Sequence, residues 1–132
     1  MKKVITYLLF TNEKAEEAIN LYTSLFDNSK IESLTRHEEG SMAGTPGKIL
    51  NCLFTLKGEQ FMAMDSMGHE HSFTPSISLY INCDSEAEVD KAYAALSDGG
   101  QALMELGEYP FAKKFAWVQD KYGLSWQLVF GG

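Results

Sequence analysis

Apolar residues recur along this chain with two periods, and each change of period marks an element. Residues 3–10 (KVITYLLF) make a nearly continuous apolar run of strand length. Between Glu13 and Asp27 the apolar positions are Ala15, Ala18, Ile19, Tyr22, Leu25 and Phe26. Steps of three and four predict an amphipathic helix over 13–27. Asn12 is placed to cap it, and the acidic first turn suits the positive end of the helix dipole. Asp27-Asn28-Ser29 end it. Residues 30–37 (KIESLTRH) alternate as a half-buried strand, and 38–47 read as a loop or wide turn. Residues 48–56 (KILNCLFTL) and 60–65 (QFMAMD) read as strands joined at Lys57-Gly58-Glu59.

The second half repeats this order. Residues 75–83 (PSISLYINC) predict a strand, and 85–98 a helix capped by Asp84 or Ser85 and stopped at Gly99-Gly100. Residues 101–106, 113–119 and 124–130 complete three strands. QALMEL forms helix as readily as strand, and the repeat decides it. Asn12 aligns with Asp84, Tyr22 with Tyr93, and KGEQFM (57–62) with YGLSWQ (122–127). In the last pair a turn glycine stands three residues before a large aromatic. The expected fold is α+β. It is one domain, 1–132, of two strand–helix–three-strand modules, about 1–66 and 73–132.

Face patterns refine the second module. Ile77, Leu79 and Ile81 alternate with Ser76, Ser78, Tyr80 and Asn82, so one face suits packing under the helix and the other is polar and aromatic. Near the C-terminus Trp126 and Leu128 share one face, and Ser125, Gln127 and Val129 share the other. A face of mixed polarity with no helix on it suits a ligand cleft.

Composition narrows the partners. With 45% hydrophobic residues the chain fills a core, while its net charge of −7 argues against nucleic acid, which needs a basic face. No apolar run is long enough to span a bilayer, so no membrane partner is expected. The apolar run after Lys2-Lys3 is short for a signal peptide and stops at Thr11-Asn12-Glu13, which predicts a cytoplasmic protein. Cys52 and Cys83 sit in apolar, strand-like settings without CxxC spacing and read as buried free thiols.

Several residues invite a chemical reading beside a plainer one. His69-Glu70-His71 has metal-ligand spacing, but it follows Gly68 and also reads as a polar loop; with His37 or Asp65 it would form an unorthodox site. Arg36 would bind an anion or end a solvated strand. Asp65 and Asp120 suggest paired carboxylates, yet Asp120 opens the turn DKYG, where aspartate bonds its own backbone. Tyr22, Phe26 and Tyr93 read as core. No nucleophile–base arrangement is visible, so no catalytic residue is assigned.

The blocks AEEAINLYTSLFDNSKIESLTR (15–36), GKILNCLFTLKGEQFMAMD (47–65), FTPSISLYINCDSEAEVDKAY (73–93) and WVQDKYGLSWQLV (117–129) carry a resemblance. The chain resembles the vicinal-oxygen-chelate superfamily of glyoxalases, bleomycin-resistance proteins and extradiol dioxygenases. The best match is its PhnB-like branch. The resemblance implies paired βαβββ modules curving into a half-open barrel around a cleft, commonly in a homodimer. It also implies that the segment EYPFAKKFAWVQD (108–120) approaches the cleft, where Phe111, Phe115 and Trp117 stack on a ligand or pack in the core or a dimer. A demethylubiquinone methyltransferase label attached to this branch has no counterpart in these residues: no glycine-rich strand-to-helix turn is present, and the element order is wrong for a doubly wound sheet.

In metal-dependent members the ligands come from the first and fourth strand of each module. Pairing the modules places Thr6 with Ser78 and Met62 with Gln127 at those positions. Without imidazole or carboxylate this set suits a hard divalent ion poorly, so no metal and no cofactor is expected. It suits an organic ligand instead, held in a cleft by Thr6, Met62, Met64, Ser78, Tyr80, Trp117 and Gln127. The expected function is small-molecule binding. The alternative is an enzyme of lyase or dioxygenase type that uses a substituted metal site or side-chain acid–base groups.

Overall fold

The computed structural model describes residues 2–42, 44–66 and 71–132. The chain divides into two compact units, residues 1–72 and 73–132. The first holds β1 (Thr6–Phe10), α1 (Ala15–Leu25), β2 (Lys30–Arg36), β3 (Ile49–Leu56) and β4 (Glu59–Asp65). The second holds β5 (Ser78–Asn82), α2 (Glu86–Ser97), β6 (Gln101–Tyr109), β7 (Ala112–Gln119) and β8 (Ser125–Phe130). Each unit is one open four-stranded sheet, ordered β1-β4-β3-β2 and β5-β8-β7-β6. The first and fourth strands of each unit run parallel, and the other pairs are antiparallel. Both predicted βαβββ modules are therefore present. QALMEL is strand, held by its pairing with β7.

Strand alternation sets what each helix covers. In the first unit Leu8 and Phe10 of β1, Cys52 and Phe54 of β3, and Ala63 of β4 are buried. They share the face under α1, where Phe10 lies 6.3 Å from the Tyr22 ring. In the second unit Lys114 of β7 pairs with Asp90 of α2 at 2.6 Å, which identifies the helix side. Ala116, Val118, Trp126, Leu128 and Ile81 fall in phase with it and are buried. Tyr22 and Phe26 are core as predicted, whereas Tyr93 is only half-buried. Ile77 precedes β5 and is 71% exposed, so the apolar face of that segment begins at Leu79.

The two helices start differently. Ser85 caps α2, its Oγ accepting from the Glu88 N–H at 3.1 Å, while the Glu88 carboxylate accepts from the Asp84 N–H at 2.6 Å. Asn12 does not cap α1: Asn12 and Glu13 both have left-handed φ angles, 61° and 58°, and the helix begins after Lys14. The cap comes from far along the chain instead. Asp65, 3% exposed at the end of β4, accepts the Ala15 N–H at 2.9 Å with Oδ1 and the Ile49 N–H at 2.8 Å with Oδ2. A carboxylate at a helix N-terminus satisfies an orphan donor and meets the favourable end of the dipole.

The aligned turn glycines have the same conformation: Gly58 and Gly123 have φ of 83° and 94°. Gly100 is required for another reason. A Cβ there would stand 2.2 Å from the Gln119 carbonyl oxygen, which is backbone and does not move aside.

Replacing Asp65 with Ala leaves the Ala15 and Ile49 N–H groups buried without their partner. Each such group costs about 1–3 kcal/mol, so the expected loss is about 2–6 kcal/mol. Urea denaturation of the Asp65→Ala and Asp27→Ala variants checks this. The exposed Asp27 change is expected to have the much smaller effect.

Candidate functional site

The face of each sheet opposite its helix collects most of the residues singled out above. In the first unit Tyr7 lies beside Met62, and Met62 beside Leu53, in one row across β1, β4 and β3. Leu9 and Met64 form the next such pair on β1 and β4. In the second unit Tyr80 lies beside Gln127, and Gln127 beside Trp117, across β5, β8 and β7. Ser78 lies beside Ser125. The rows match position by position, with a tyrosine on the first strand and Met62 or Gln127 on the fourth.

This register corrects one of the predicted pairs. Met62 and Gln127 are equivalent, as their turn glycines indicated. Their first-strand neighbours are Tyr7 and Tyr80, not Thr6 and Ser78. Thr6 is in phase with Leu8 and Phe10 and so belongs to the helix side, at its exposed end. Ser78, Tyr80, Trp117 and Gln127 share the opposite face of the second sheet, and Met62 and Met64 that of the first.

Hydrogen bonds divide these polar groups into two kinds. The Tyr7 hydroxyl donates to Asn51 Oδ1 at 3.0 Å. Burial, and then the neighbouring Cys52, raise the Tyr7 phenol above its ordinary pKa, so it remains a neutral donor. In the second unit Trp117 Nε1 donates to Ser125 Oγ at 2.8 Å, and Ser125 Oγ lies 2.7 Å from Ser78 Oγ. Those three groups satisfy one another and fix the indole. Tyr80, 54% exposed, and Gln127 have no side-chain partner among the described residues.

The other candidates serve the framework. Asp65 holds α1 and β3. Asp120, 4% exposed, accepts the Tyr122 and Leu124 N–H groups with Oδ1 and the Trp126 indole N–H at 2.9 Å with Oδ2. Neither carboxylate is left for acid–base work. Arg36 binds Glu16 of α1 through both terminal nitrogens, at 2.7 and 2.6 Å, and so joins β2 to the helix. His37 is buried at 5% exposure, and a Cβ on Gly44 would stand 2.4 Å from its Nε2. His69 and Glu70 lie outside the described residues; His71 is exposed. Phe115 is buried and meets Phe111 and Tyr109 edge-to-face at 4.9 and 5.6 Å, while Phe111 is 53% exposed. Cys52 and Cys83 are buried free thiols, and burial pushes the Cys52 thiol up to about 11. Among the described residues no helix is long and apolar enough to cross a membrane.

The donors on the open faces do not fit a hard divalent ion. The first- and fourth-strand positions hold two phenols, a thioether and a carboxamide, and no carboxylate or imidazole.

A family model described as 3-demethylubiquinone-9 3-methyltransferase matches residues 2–129. The chain belongs to this PhnB-like family of the vicinal-oxygen-chelate superfamily. The PhnB-like chain is 48% identical to a Bacillus cereus protein described as a putative 3-demethylubiquinone-9 3-methyltransferase, PhnB protein. That match covers 98% of this chain and 99% of the other, with a TM-score of 0.92. A Pseudomonas aeruginosa protein is 24% identical over 98% of both chains, with a TM-score of 0.83. A glyoxylase/bleomycin resistance protein/dioxygenase domain from Frankia shares the fold at 16% identity and TM-score 0.67, over 100% of this chain and 93% of that one. No curated protein matches the chain.

Two consequences of this PhnB-like framework are measurable. The Arg36 hydrogen bond holds the Glu16 carboxyl below its ordinary pKa. Its contribution is present above the ordinary carboxylate range and is lost as pH falls through the lowered value. Arg36→Met is therefore expected to lower Tm at pH 7 and to converge with the parent protein as acid protonates Glu16. Tm measured across that range checks it. For Cys52 the folded pKa is raised, so its contribution is full below the unfolded thiol value and is lost as pH rises through about 11. Iodoacetamide at pH 8 is expected to leave Cys52 unmodified in the native protein and to modify it in urea, as read by peptide mass spectrometry.

Proposed function

We propose that this chain binds a small organic molecule on an open sheet face, without a metal ion as the anchor. The observation that carries the reading is the donor set at the equivalent positions Tyr7, Met62, Tyr80 and Gln127. Methionine supplies adaptable apolar contact, and the hydroxyl and carboxamide supply directional hydrogen bonds. Met64, Ser78 and Trp117 extend the same faces. Ser78 acts by holding Ser125 and, through it, the indole. Tyr7 takes the place that the sequence suggested for Thr6. We propose also that the protein is cytoplasmic, and that it self-associates as a homodimer, as the superfamily resemblance implies.

Two measurements test the reading. Protein purified under native conditions and analysed by mass spectrometry is expected to carry an organic molecule. Adding that molecule back to stripped protein at about 100 times its Kd should stabilise the fold by about 2.7 kcal/mol, a Tm rise of several degrees. Divalent zinc, manganese, nickel and magnesium are expected to leave Tm unchanged. Stoichiometric metal binding that raises Tm and is abolished by Gln127→Ala would sink the reading. Light scattering is expected to give twice the 14.7 kDa chain mass; a monomer refutes the self-association alone.

A further inference from the structure

The row Tyr80–Gln127–Trp117 specifies more than apolar binding. From Phe115 to Gln119 on β7, and along β5 and β8, the positions facing away from α2 carry no charge. This holds in a chain where 22% of residues are charged. A charged ligand buried there would lose its hydration without gaining an ion pair, which costs several kcal/mol. The face therefore selects against ions of either sign.

The hydrogen-bonding capacity left over is specific. Ser78, Ser125 and the Trp117 indole N–H are already paired with one another. The Gln127 carboxamide, on the strand between Tyr80 and Trp117, has no side-chain partner among the described residues. A carboxamide offers one acceptor and one donor side by side, and its complement is a molecule with an N–H next to a C=O. Glutamine reads an adenine edge with the same two-bond geometry. Neighbouring strands lie about 4.8 Å apart, so Tyr80 and Trp117 flank Gln127 across a span of about 10 Å. That width suits one planar ring system. The fixed indole supplies aromatic contact on one side, and the Tyr80 hydroxyl a further polar contact on the other.

We infer that the second unit binds an uncharged, planar ring compound through a cis-amide edge of lactam, imide or pyrimidinone type, with Gln127 making both hydrogen bonds. This deepens the proposed function and rests on it. The probes are quinolin-2-one, its N-methyl derivative and quinoline-2-carboxylate. Binding is measured by calorimetry and by the NMR shift of the Gln127 side-chain amide.

Quinolin-2-one is expected to bind and to shift that amide. The N-methyl compound lacks the donor and leaves the Gln127 carbonyl unpaired, so it should bind about tenfold or more weakly. The carboxylate should be weaker still. Gln127→Met keeps the volume and removes both bonds. It should erase the preference for the lactam over its N-methyl form while leaving Tm unchanged. Equal affinity for the lactam and its N-methyl form, or a preference for the carboxylate, overturns this inference and leaves small-molecule binding standing. Failure of all three probes to perturb any open-face residue, together with no co-purifying molecule, overturns both.

Discussion

The first and fourth strands of each unit run parallel, and most of the architecture follows from that. The same order leaves β1 and β2, and likewise β5 and β6, parallel at opposite edges of their sheets, so the chain between them must cross one face of the sheet. In both units a helix makes that crossing and takes half of every strand's side chains as its floor. What remains is a second face, where Phe115 and Val129 of the second unit are still buried but positions such as Tyr80 are not bound to the core beneath the helix. The parallel register then fixes which first-strand residue meets which fourth-strand residue: Tyr7 with Met62, and Tyr80 with Gln127.

The framework devotes its strongest polar groups to holding this arrangement. Asp65 and Asp120 are buried carboxylates with backbone partners, and Arg36 clamps Glu16. These groups resemble catalytic equipment in a sequence, because buried carboxylates and arginines occur in active sites. Their contacts put them to structural use. The open face of the second unit shows the reverse economy. Tyr80 and Gln127 contribute little to the fold, and their hydrogen-bonding capacity stays available to a ligand.

The sequence made the module order legible because the hydrophobic period changes cleanly from strand to helix, and because glycines punctuate the turns. It also made the Met62–Gln127 equivalence legible, since Gly58 and Gly123 anchor both strands at a fixed offset. Nothing comparable anchors the first strands. KVITYLLF is apolar nearly throughout, so its pattern leaves the register against β4 open, and the polar Thr6 and the aromatic Tyr7 suit a cleft equally well. Asn12 is the right residue type for a cap. However, its left-handed backbone places it outside the helix, and the true partner of Ala15 lies 50 residues away. Periodicity reports local geometry; it does not report a bond closed across the whole module.

That distant bond has a kinetic meaning. Asp65 reaches back 50 residues to Ala15 and 16 to Ile49. The Ala15 bond does not form until β4 and the start of α1 already stand together, because closing so long a loop gains nothing before its ends are brought close, whereas the Ile49 bond closes within the β3–β4 hairpin. Through Ala15, Asp65 is thus a latch on an assembled unit. A bond closed that late is expected to slow the unit's opening more than it speeds its formation.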